Sequence, residues 1–183
     1  MASRMSKTWL IPVILIIAAL ALVGIGLSCS PSSPSEALDF TMPTLTGANI
    51  TLSGLEGTPV VLNFWTTTCA YCRQQLPYLE DVAQQREGAL NVIAINIGQD
   101  ASTVQSFIQD FFGKNETTMI VALDSNGGVF VNYCQNYGNS GVGIPFTLFV
   151  DSEGLIQYRR IGAFSSEAEL WNTLHSVLGI TVP

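Results

Sequence analysis

The chain has 183 residues, of which 48% are hydrophobic, and its fourteen acidic residues outnumber its seven basic ones, giving a formal net charge of −7. A chain of this length holds one domain of ordinary size with its own hydrophobic core. The negative charge argues against nucleic acid as a partner, because binding to phosphates needs a cationic surface.

The first predicted element is an apolar run over residues 9–27, which contains no charge and follows Arg4 and Lys7. Spanning a bilayer takes about 20 apolar residues, whereas a cleaved signal peptide has an apolar part of about 7–15. The run predicts a membrane anchor, and the basic residues before it place the rest of the chain outside the cytoplasm. Cys29 follows in a setting that resembles a bacterial lipoprotein cleavage site, although Gly26 stands where that site usually has Leu, Val or Ile. A retained anchor and a lipidated Cys29 are both open, and both attach the domain to the cell membrane.

A short polar segment separates this run from the folded part. Residues 30–35 contain two prolines and no apolar side chain, which predicts a tether. We therefore divide the chain into an anchor or lipoprotein signal at 1–29, a Ser/Pro-rich tether at 30–37 and a folded domain at 38–183.

The domain is predicted to alternate strands and helices. Residues 40–55 hold short apolar pieces around the turn TGAN, which predicts a β-hairpin or two short strands. The apolar runs PVVLNFW (59–65) and NVIAINI (91–97) are typical of strands buried on both faces. The other predicted elements are helices at 69–86, 102–112, 129–137 and 167–178, a strand at 119–123, and a hairpin of strands 146–150 and 154–160. This order predicts an α/β fold with a central mixed sheet and helices on both faces.

The motif CAYC places Cys69 and Cys72 at the start of the first predicted helix. There a sulfur meets unpaired backbone N–H groups and the positive end of the helix dipole, and both favour the thiolate. Lowering a thiol pKa from about 8.5 to about 7 takes roughly 2 kcal/mol and raises the thiolate fraction at pH 7 to about half. Cys69 gains most, whereas Cys72 lies one turn later and is more enclosed. A purely structural disulfide is the weaker alternative, because closing so short a loop removes little entropy from the unfolded chain.

This asymmetry predicts disulfide exchange. The Cys69 thiolate attacks a disulfide in a partner, and Cys72 then attacks Cys69 and releases the reduced partner. Ile144-Pro145, ahead of the last hairpin, is a candidate cis peptide that would expose the Ile144 backbone to an extended substrate. The alternative is that Pro145 simply starts a strand, where its missing N–H is tolerated.

The sequence resembles membrane-tethered, thioredoxin-like thiol–disulfide oxidoreductases of the TlpA/ResA type. The resemblance lies in DFTMP at the start of the domain, GTPVVLNFW before the cysteines, CAYC itself, Pro77, and GIP followed by FVDSEG. It implies a thioredoxin-like fold with an N-terminal β-hairpin extension, with Cys69 as attacking thiol, Cys72 as resolving thiol and Pro145 as the cis-proline. It also implies a redox-active Cys69–Cys72 disulfide in place of any cofactor or metal.

The same resemblance implies the substrates and partners. Substrates are proteins with cysteines or disulfides, reduced for cytochrome c maturation or a similar purpose, and the electrons come from a membrane donor of the CcdA/DsbD kind. Residues near the cysteines are expected to contact the substrate: Trp65, Thr68, Ala70, Tyr71, Ile144 and Pro145.

The sequence departs from the family pattern in ways that bear on rate and redox potential. Thr68 replaces the usual Trp before the first cysteine, and the dipeptide Ala70-Tyr71 lacks the Pro often found there. Gln75 replaces a Glu that many members use to move the proton of the second thiol, and Asn63 replaces a buried Asp of cytoplasmic thioredoxins. Because neither amide accepts a proton, we expect deprotonation of Cys72 to rely on water and resolution to be slow.

Two other functions on the same fold are the alternatives. Copper chaperones typically have three residues between the cysteines and a histidine near them, whereas here the single histidine, His175, falls on the last predicted helix. A thiol peroxidase usually has a Pro ahead of its cysteine, which is missing before Cys69. Cys134 is predicted to be a core thiol, with a third redox thiol as the alternative.

Overall fold

The computed structural model describes residues 34–113 and 117–182. Within these two ranges, no helix combines the length and the apolar character needed to cross a bilayer. The predicted anchor, Cys29 and the first half of the tether (30–33) lie outside the described residues.

The described elements follow the predicted order. The strands are β1 (Ser35–Glu36), β2 (Thr41–Pro43), β3 (Asn49–Thr51), β4 (Val60–Trp65), β5 (Asn91–Ile97), β6 (Ile120–Asp124), β7 (Phe146–Val150) and β8 (Leu155–Ile161). The helices are α1 (Ala70–Gln85), α2 (Ala101–Phe112), α3 (Gly128–Asn136) and α4 (Glu167–Leu178). A 3-10 turn at Leu52–Leu55 follows the β2–β3 hairpin.

The central sheet has the strand order β1-β8-β7-β4-β5-β6. Strands β4, β5 and β6 are parallel, whereas β7, β8 and β1 add on antiparallel to one side. The separate β2–β3 hairpin lies beside β6, where the Leu45 N–H donates to the Val121 carbonyl at 3.0 Å. The predicted mixed sheet and hairpin extension are confirmed.

Strand β4 is the centre of the core, and all six of its residues are buried. Helices α1, α2 and α4 cover one face of the sheet, and the apolar stripe of α1 (Leu76, Leu79, Val82 and Ala83) is buried there. Helix α3 and residues from the hairpin region cover the other face. Helices therefore lie on both faces, and the carboxyl ends of β4 and β5 feed directly into α1 and α2.

The start of the domain differs from the prediction. Ser35 and Glu36, which we placed in the tether, form an edge strand opposite Ile156 and Leu155. The Tyr137 hydroxyl holds this segment by donating to the Glu36 carbonyl at 2.7 Å. The folded part therefore begins before residue 38. The sequence did not predict this strand, because it is stabilised by its neighbours and has no alternating apolar pattern of its own.

Candidate active site

The cysteine pair lies where β4 passes into α1. Cys69 is the N-cap of α1, and its Sγ accepts a hydrogen bond from the Cys72 N–H at 3.1 Å. The two side chains form a disulfide, with their Cα atoms 5.2 Å apart. Cys69 is partly exposed and Cys72 is 0% exposed. The predicted asymmetry between an accessible and an enclosed sulfur is therefore confirmed.

The loop before β7 brings a second strip of backbone to the pair. The Ile144–Pro145 peptide bond is cis, as predicted. The Ile144 carbonyl oxygen lies 3.9 Å from Cys69 Sγ, and the Pro145 carbonyl accepts from the Gly162 N–H at 2.8 Å. In the described part of the chain, no backbone carbonyl accepts the Ile144 N–H. The loop thus presents an unpaired N–H beside the accessible sulfur.

A glutamine holds the loop between β4 and α1. Gln99, just after β5, accepts from the Thr67 N–H at 2.9 Å through Oε1 and donates to Thr67 Oγ1 at 2.8 Å through Nε2. The buried Asn96 side chain donates to the same Oε1 at 3.0 Å. Both ends of the Gln99 amide are therefore used to fix the segment that leads into Cys69. Sequence reasoning missed Gln99, because its partner lies 32 residues away.

Uncharged polar groups lie beneath α1. Thr147 Oγ1 accepts from Asn63 Nδ2 at 2.9 Å and from Gln75 Nε2 at 3.4 Å, and Gln75 Oε1 accepts from the Phe164 N–H at 3.2 Å. Asn63, Gln75 and Thr147 are all 0% exposed. The two family acid positions thus hold amides inside the core, and neither supplies a proton acceptor. The slow, water-assisted resolution expected from this stays a prediction.

Another acid of α1 is used structurally. The Glu80 carboxylate is buried and accepts from the Thr118 N–H at 3.1 Å and the Met119 N–H at 3.2 Å. Charge-assisted bonds of this kind satisfy a buried carboxylate. They tie α1 to the segment before β6.

Two of the predicted substrate contacts, Trp65 and Pro145, are buried. Trp65 is 0% exposed, and its ring packs 5.3 Å from that of Phe107 on α2. As the last residue of β4, it points into the face that α1 and α2 cover, so it supports the site from below. Thr68, Ala70 and Tyr71 are exposed, and Tyr71 keeps 68% of its surface. Their contact with substrate stays a prediction.

Sequence reasoning also missed an apolar surface near the cis-proline loop. Val142 is 55% exposed and Ile161 is 53% exposed. Ile161 lies against the loop, because a Cβ built on Gly143 would be 2.8 Å from Ile161 Cγ2. The sequence signal was present as a Gly- and Asn-rich stretch before GIP, but nothing in it indicated which side chains stay exposed.

The remaining candidate groups lie elsewhere. Cys134 is buried among the aromatic side chains of α3, on the sheet face opposite to Cys72, and burial raises the pKa of its thiol. The prediction of a core thiol is confirmed. His175 is exposed on α4, and within 34–113 and 117–182 no three His, Cys, Asp or Glu side chains are grouped to hold a metal ion.

Comparisons with known proteins agree with this site. Residues 33–174 match the Redoxin family model. The chain is 29% identical to the thioredoxin-like protein YneN of Bacillus subtilis over 132 residues, which cover 72% of this chain and 73% of YneN. It is 29% identical to the thiol–disulfide oxidoreductase ResA of Halalkalibacterium halodurans over 133 residues, which cover 72% of this chain and 70% of ResA.

A solved structure extends the likeness to three dimensions. The crystal structure of a secreted Mycobacterium tuberculosis disulfide oxidoreductase homologous to E. coli DsbE superposes with a TM-score of 0.60 at 26% identity, covering 75% of this chain and 95% of that one. The accessible Cys69, the enclosed Cys72 and the cis peptide beside them lie within the matched family region. The chain therefore belongs to the Redoxin family, as a thioredoxin-like thiol–disulfide oxidoreductase of the ResA/TlpA type.

Proposed function

We propose that this protein is attached to the bacterial cell membrane with its domain on the outer side, where it reduces disulfides in exported proteins. Two features support the location: the uncharged apolar run at 9–27 with basic residues before it, and the Ser/Pro segment that follows. The Mycobacterium tuberculosis relative is itself described as secreted. Apocytochrome c is a suitable client class, because its cysteines must be reduced before haem attachment.

The observation that carries the proposed chemistry is the placement of Cys69. Its sulfur is partly exposed at the start of α1, 3.9 Å from the Ile144 carbonyl, and the buried Cys72 lies directly behind it. An extended substrate pairs with the free Ile144 N–H, and this brings its disulfide to Cys69. The exposed residues Thr68, Ala70 and Tyr71 form the surrounding contact surface, and the buried Pro145 holds the cis bend beneath it.

Reduction then proceeds in two balanced steps. The Cys69 thiolate attacks one sulfur of the substrate disulfide, forms a mixed disulfide and expels the other substrate sulfur as a thiolate. Cys72 loses its proton to solvent and attacks Cys69 Sγ, which closes the Cys69–Cys72 disulfide and releases the second substrate thiolate. Two electrons pass to the substrate, and a membrane dithiol donor of the CcdA/DsbD kind restores them.

Trapping the mixed disulfide tests client and direction together. In a bacterium that expresses the full chain, Cys72→Ala should accumulate adducts on Cys69 that dithiothreitol releases, and the double variant Cys69→Ala/Cys72→Ala should show none. Alkylation of the wild-type protein after acid quenching should find the pair mainly as dithiol. A pair found mainly as disulfide would make the protein an oxidant. Absence of adducts from a folded Cys72→Ala variant would overturn exchange with proteins.

The attachment has its own test. A membrane-impermeant maleimide added to intact spheroplasts after mild reduction should label Cys69 in Cys72→Ala, and mass spectrometry of the N-terminus should find either an intact 1–29 segment or a lipid on Cys29. Labelling that appears only after lysis would place the domain in the cytoplasm and overturn the proposed location.

A further inference from the structure

The loop between α3 and β7 is held by one buried side chain. Asn139 is 1% exposed, its Nδ2 donates to the Gly143 carbonyl at 2.8 Å, and its Oδ1 accepts from the Gly143 N–H at 2.9 Å. Its own carbonyl accepts from the Val142 N–H at 2.9 Å. A single asparagine thus fixes both polar backbone groups of the residue that precedes Ile144.

Asn139 is itself anchored. Its backbone N–H donates to the Cys134 carbonyl at 3.0 Å, which ties it to the last turn of α3. Helix α3 packs into the core through Phe130, Tyr133 and Cys134. Asn139 therefore ties the loop to α3, a helix that is fixed in the core.

The conformation of the loop is not one that its residues prefer. Val142 has φ +47, a left-handed backbone that is unfavourable for a β-branched residue, and its side chain is 55% exposed. Since its exposed side chain packs little, the surroundings must impose this backbone, as expected where strain is kept at a functional site. The bonds made by Asn139 flank Val142 directly and supply that restraint.

The opposite side of the loop is fixed by close contact. An added Cβ on Gly143 would lie 2.8 Å from Ile161 Cγ2 on β8, so that either the loop or the Ile161 side chain would have to shift. The loop is thus held between Asn139 and β8. The residue that follows is Ile144, whose carbonyl lies 3.9 Å from the accessible sulfur.

We propose that Asn139 is a positioning residue for exchange with protein substrates. By holding both polar backbone groups of Gly143, it places the Ile144 backbone where a substrate strand can pair with it beside Cys69. The proposal rests on the pairing role of Ile144 proposed above. Asn139 does not touch the reacting sulfurs. Its removal should therefore impair reactions that need backbone pairing and leave the sulfur chemistry unchanged.

The test compares two disulfides on the full chain purified in detergent. Insulin offers an extended polypeptide to pair, whereas dithiobis(nitrobenzoate) is a small aromatic disulfide with no backbone. Asn139→Ala should lower kcat/KM for insulin about tenfold, mainly through KM, since two ordinary hydrogen bonds are lost. The rate with dithiobis(nitrobenzoate) and the pH profile of Cys69 alkylation should stay within about twofold of wild type.

A matched control is available three residues earlier, at the end of α3. Asn136 is exposed and donates to the Asn132 carbonyl at 2.8 Å, so Asn136→Ala removes an asparagine without touching the loop. It should leave both rates unchanged. An equal fall with both disulfides in Asn139→Ala would show a merely structural role, and no change with either would show no role. Both results overturn the proposal.

A second pair of variants decides the matter if Asn139→Ala does not fold. Gly143→Ala displaces the same segment from its other side, through the collision with Ile161, and should lower the insulin rate while sparing dithiobis(nitrobenzoate). Adding Ile161→Ala removes the colliding methyl group and should restore part of the insulin rate. If Gly143→Ala leaves insulin reduction at the wild-type level, the position of this loop does not limit pairing, and the proposal is wrong. If Gly143→Ala lowers the rate of insulin reduction and the added Ile161→Ala does not restore any of it, this result also counts against the proposal.

Failure of this inference is distinguishable from failure of the proposed function. If adducts form on Cys69 in cells but Asn139→Ala reduces insulin normally, exchange with proteins stands and the positioning role falls. If wild-type protein reduces dithiobis(nitrobenzoate) but forms no adducts and does not reduce insulin, the protein-reducing function itself falls.

Discussion

Helices α1 and α2 begin at the carboxyl ends of neighbouring parallel strands, and each begins on a side chain that accepts the third amide of the helix. In α1 the acceptor is Cys69 Sγ, which receives the Cys72 N–H at 3.1 Å. In α2 it is Asp100 Oδ1, which receives the Thr103 N–H at 2.8 Å. The position in the fold is the same, and only the capping atom differs.

The α2 cap shows what such a position does to an acid. Hydrogen bonds from the Ser102 hydroxyl, the Thr103 N–H and the Thr103 hydroxyl, in that order of size, lower the pKa of Asp100 to about 2. Cys69 Sγ, the cap of α1, accepts from one amide, whereas Asp100 accepts from three donors. We therefore expect the helix start to lower the pKa of Cys69 less than that of Asp100. The same helix start is thus a structural N-cap when the capping atom is a carboxylate oxygen, and a reactive site when the capping atom is a cysteine sulfur.

The largest effect should come from exchanging the capping atom. Cys69→Ser keeps a good N-cap, because serine is among the preferred residues there. It removes the one accessible cysteine sulfur within residues 34–113 and 117–182. Reduction of insulin and of dithiobis(nitrobenzoate) should fall to the uncatalysed rate, while the melting temperature stays close to that of reduced wild type. Cys134→Ser is the control, and it should retain activity because Cys134 is buried on the other sheet face. A Cys69→Ser protein with residual catalysis would show that another thiol can attack.

Ionisation of the sulfur cap gives the next effect. In the reduced protein we expect the Cys69 thiolate to form well below the ordinary thiol pKa of about 8.5, so that alkylation near pH 7 is about tenfold faster than for a free thiol. Iodoacetamide rates in Cys72→Ala, measured across pH, give the midpoint. Cys134 serves as an internal control that should be alkylated slowly, because burial raises the pKa of its thiol. A Cys69 midpoint equal to that of a cysteine peptide would mean that the α1 start does not stabilise the anion.

Supplying a proton acceptor behind the cap should change the second step. Gln75→Glu places a carboxyl where Oε1 still accepts the Phe164 N–H, and burial keeps its pKa high enough to exchange a proton near neutrality. Resolution of the mixed disulfide should become several-fold faster and acquire a new pH dependence, at a loss of about 1–3 kcal/mol in unfolding free energy. Stopped-flow release of a labelled thiol measures the step.

The matched control for this variant is next to it. Gln74 is exposed on the same helix, so Gln74→Glu adds the same charge outside the core. It should change neither the rate nor its pH profile. Equal behaviour of the two variants would show that the amide at position 75 does not limit resolution.

The sequence predicted the parts of this site that depend on local pattern. The buried runs at β4 and β5 and the spacing of Cys69 and Cys72 are local signals, so the strands, the start of α1 and the cysteine pair were found. Gln99 and Asn139 were not found, because their hydrogen bonds arise only once the chain is folded and no local pattern reveals which loop amide will gain a partner. Trp65 was misassigned because its nearness to the cysteines in sequence was given more weight than its place in a run predicted to be buried on both faces.

The edge strand β1 illustrates the same limit in the fold. Ser35 and Glu36 have no apolar period, and they become a strand because β8 offers an open edge and Tyr137 binds the Glu36 carbonyl. Polar residues on an edge strand are common, since an unpaired edge must be protected. Composition therefore predicted a tether where tertiary contacts make a strand.

The smallest expected effect concerns Asp100, the N-cap of α2. It measures how far such a helix start stabilises a negative charge, and so gives a reference for the thiolate of Cys69. The folded pKa of Asp100 lies at about 2, below its ordinary value of 3.8, so its charge stabilises the fold above pH 3.8 and this contribution is lost as the pH falls towards 2. Asp100→Asn keeps an acceptor for the Thr103 N–H but carries no charge. The melting temperature of wild type should exceed that of Asp100→Asn at pH 6, and the difference should shrink below pH 3.8 and vanish below pH 2. Asp39 and Glu169, whose pKa values are also lowered, are present in both proteins and cancel in the difference. A gap that stays undiminished as the pH falls to 2 would mean that the helix start does not stabilise the charge of Asp100. Stabilisation of a thiolate on Cys69, which receives fewer donors, would then have no support from this comparison.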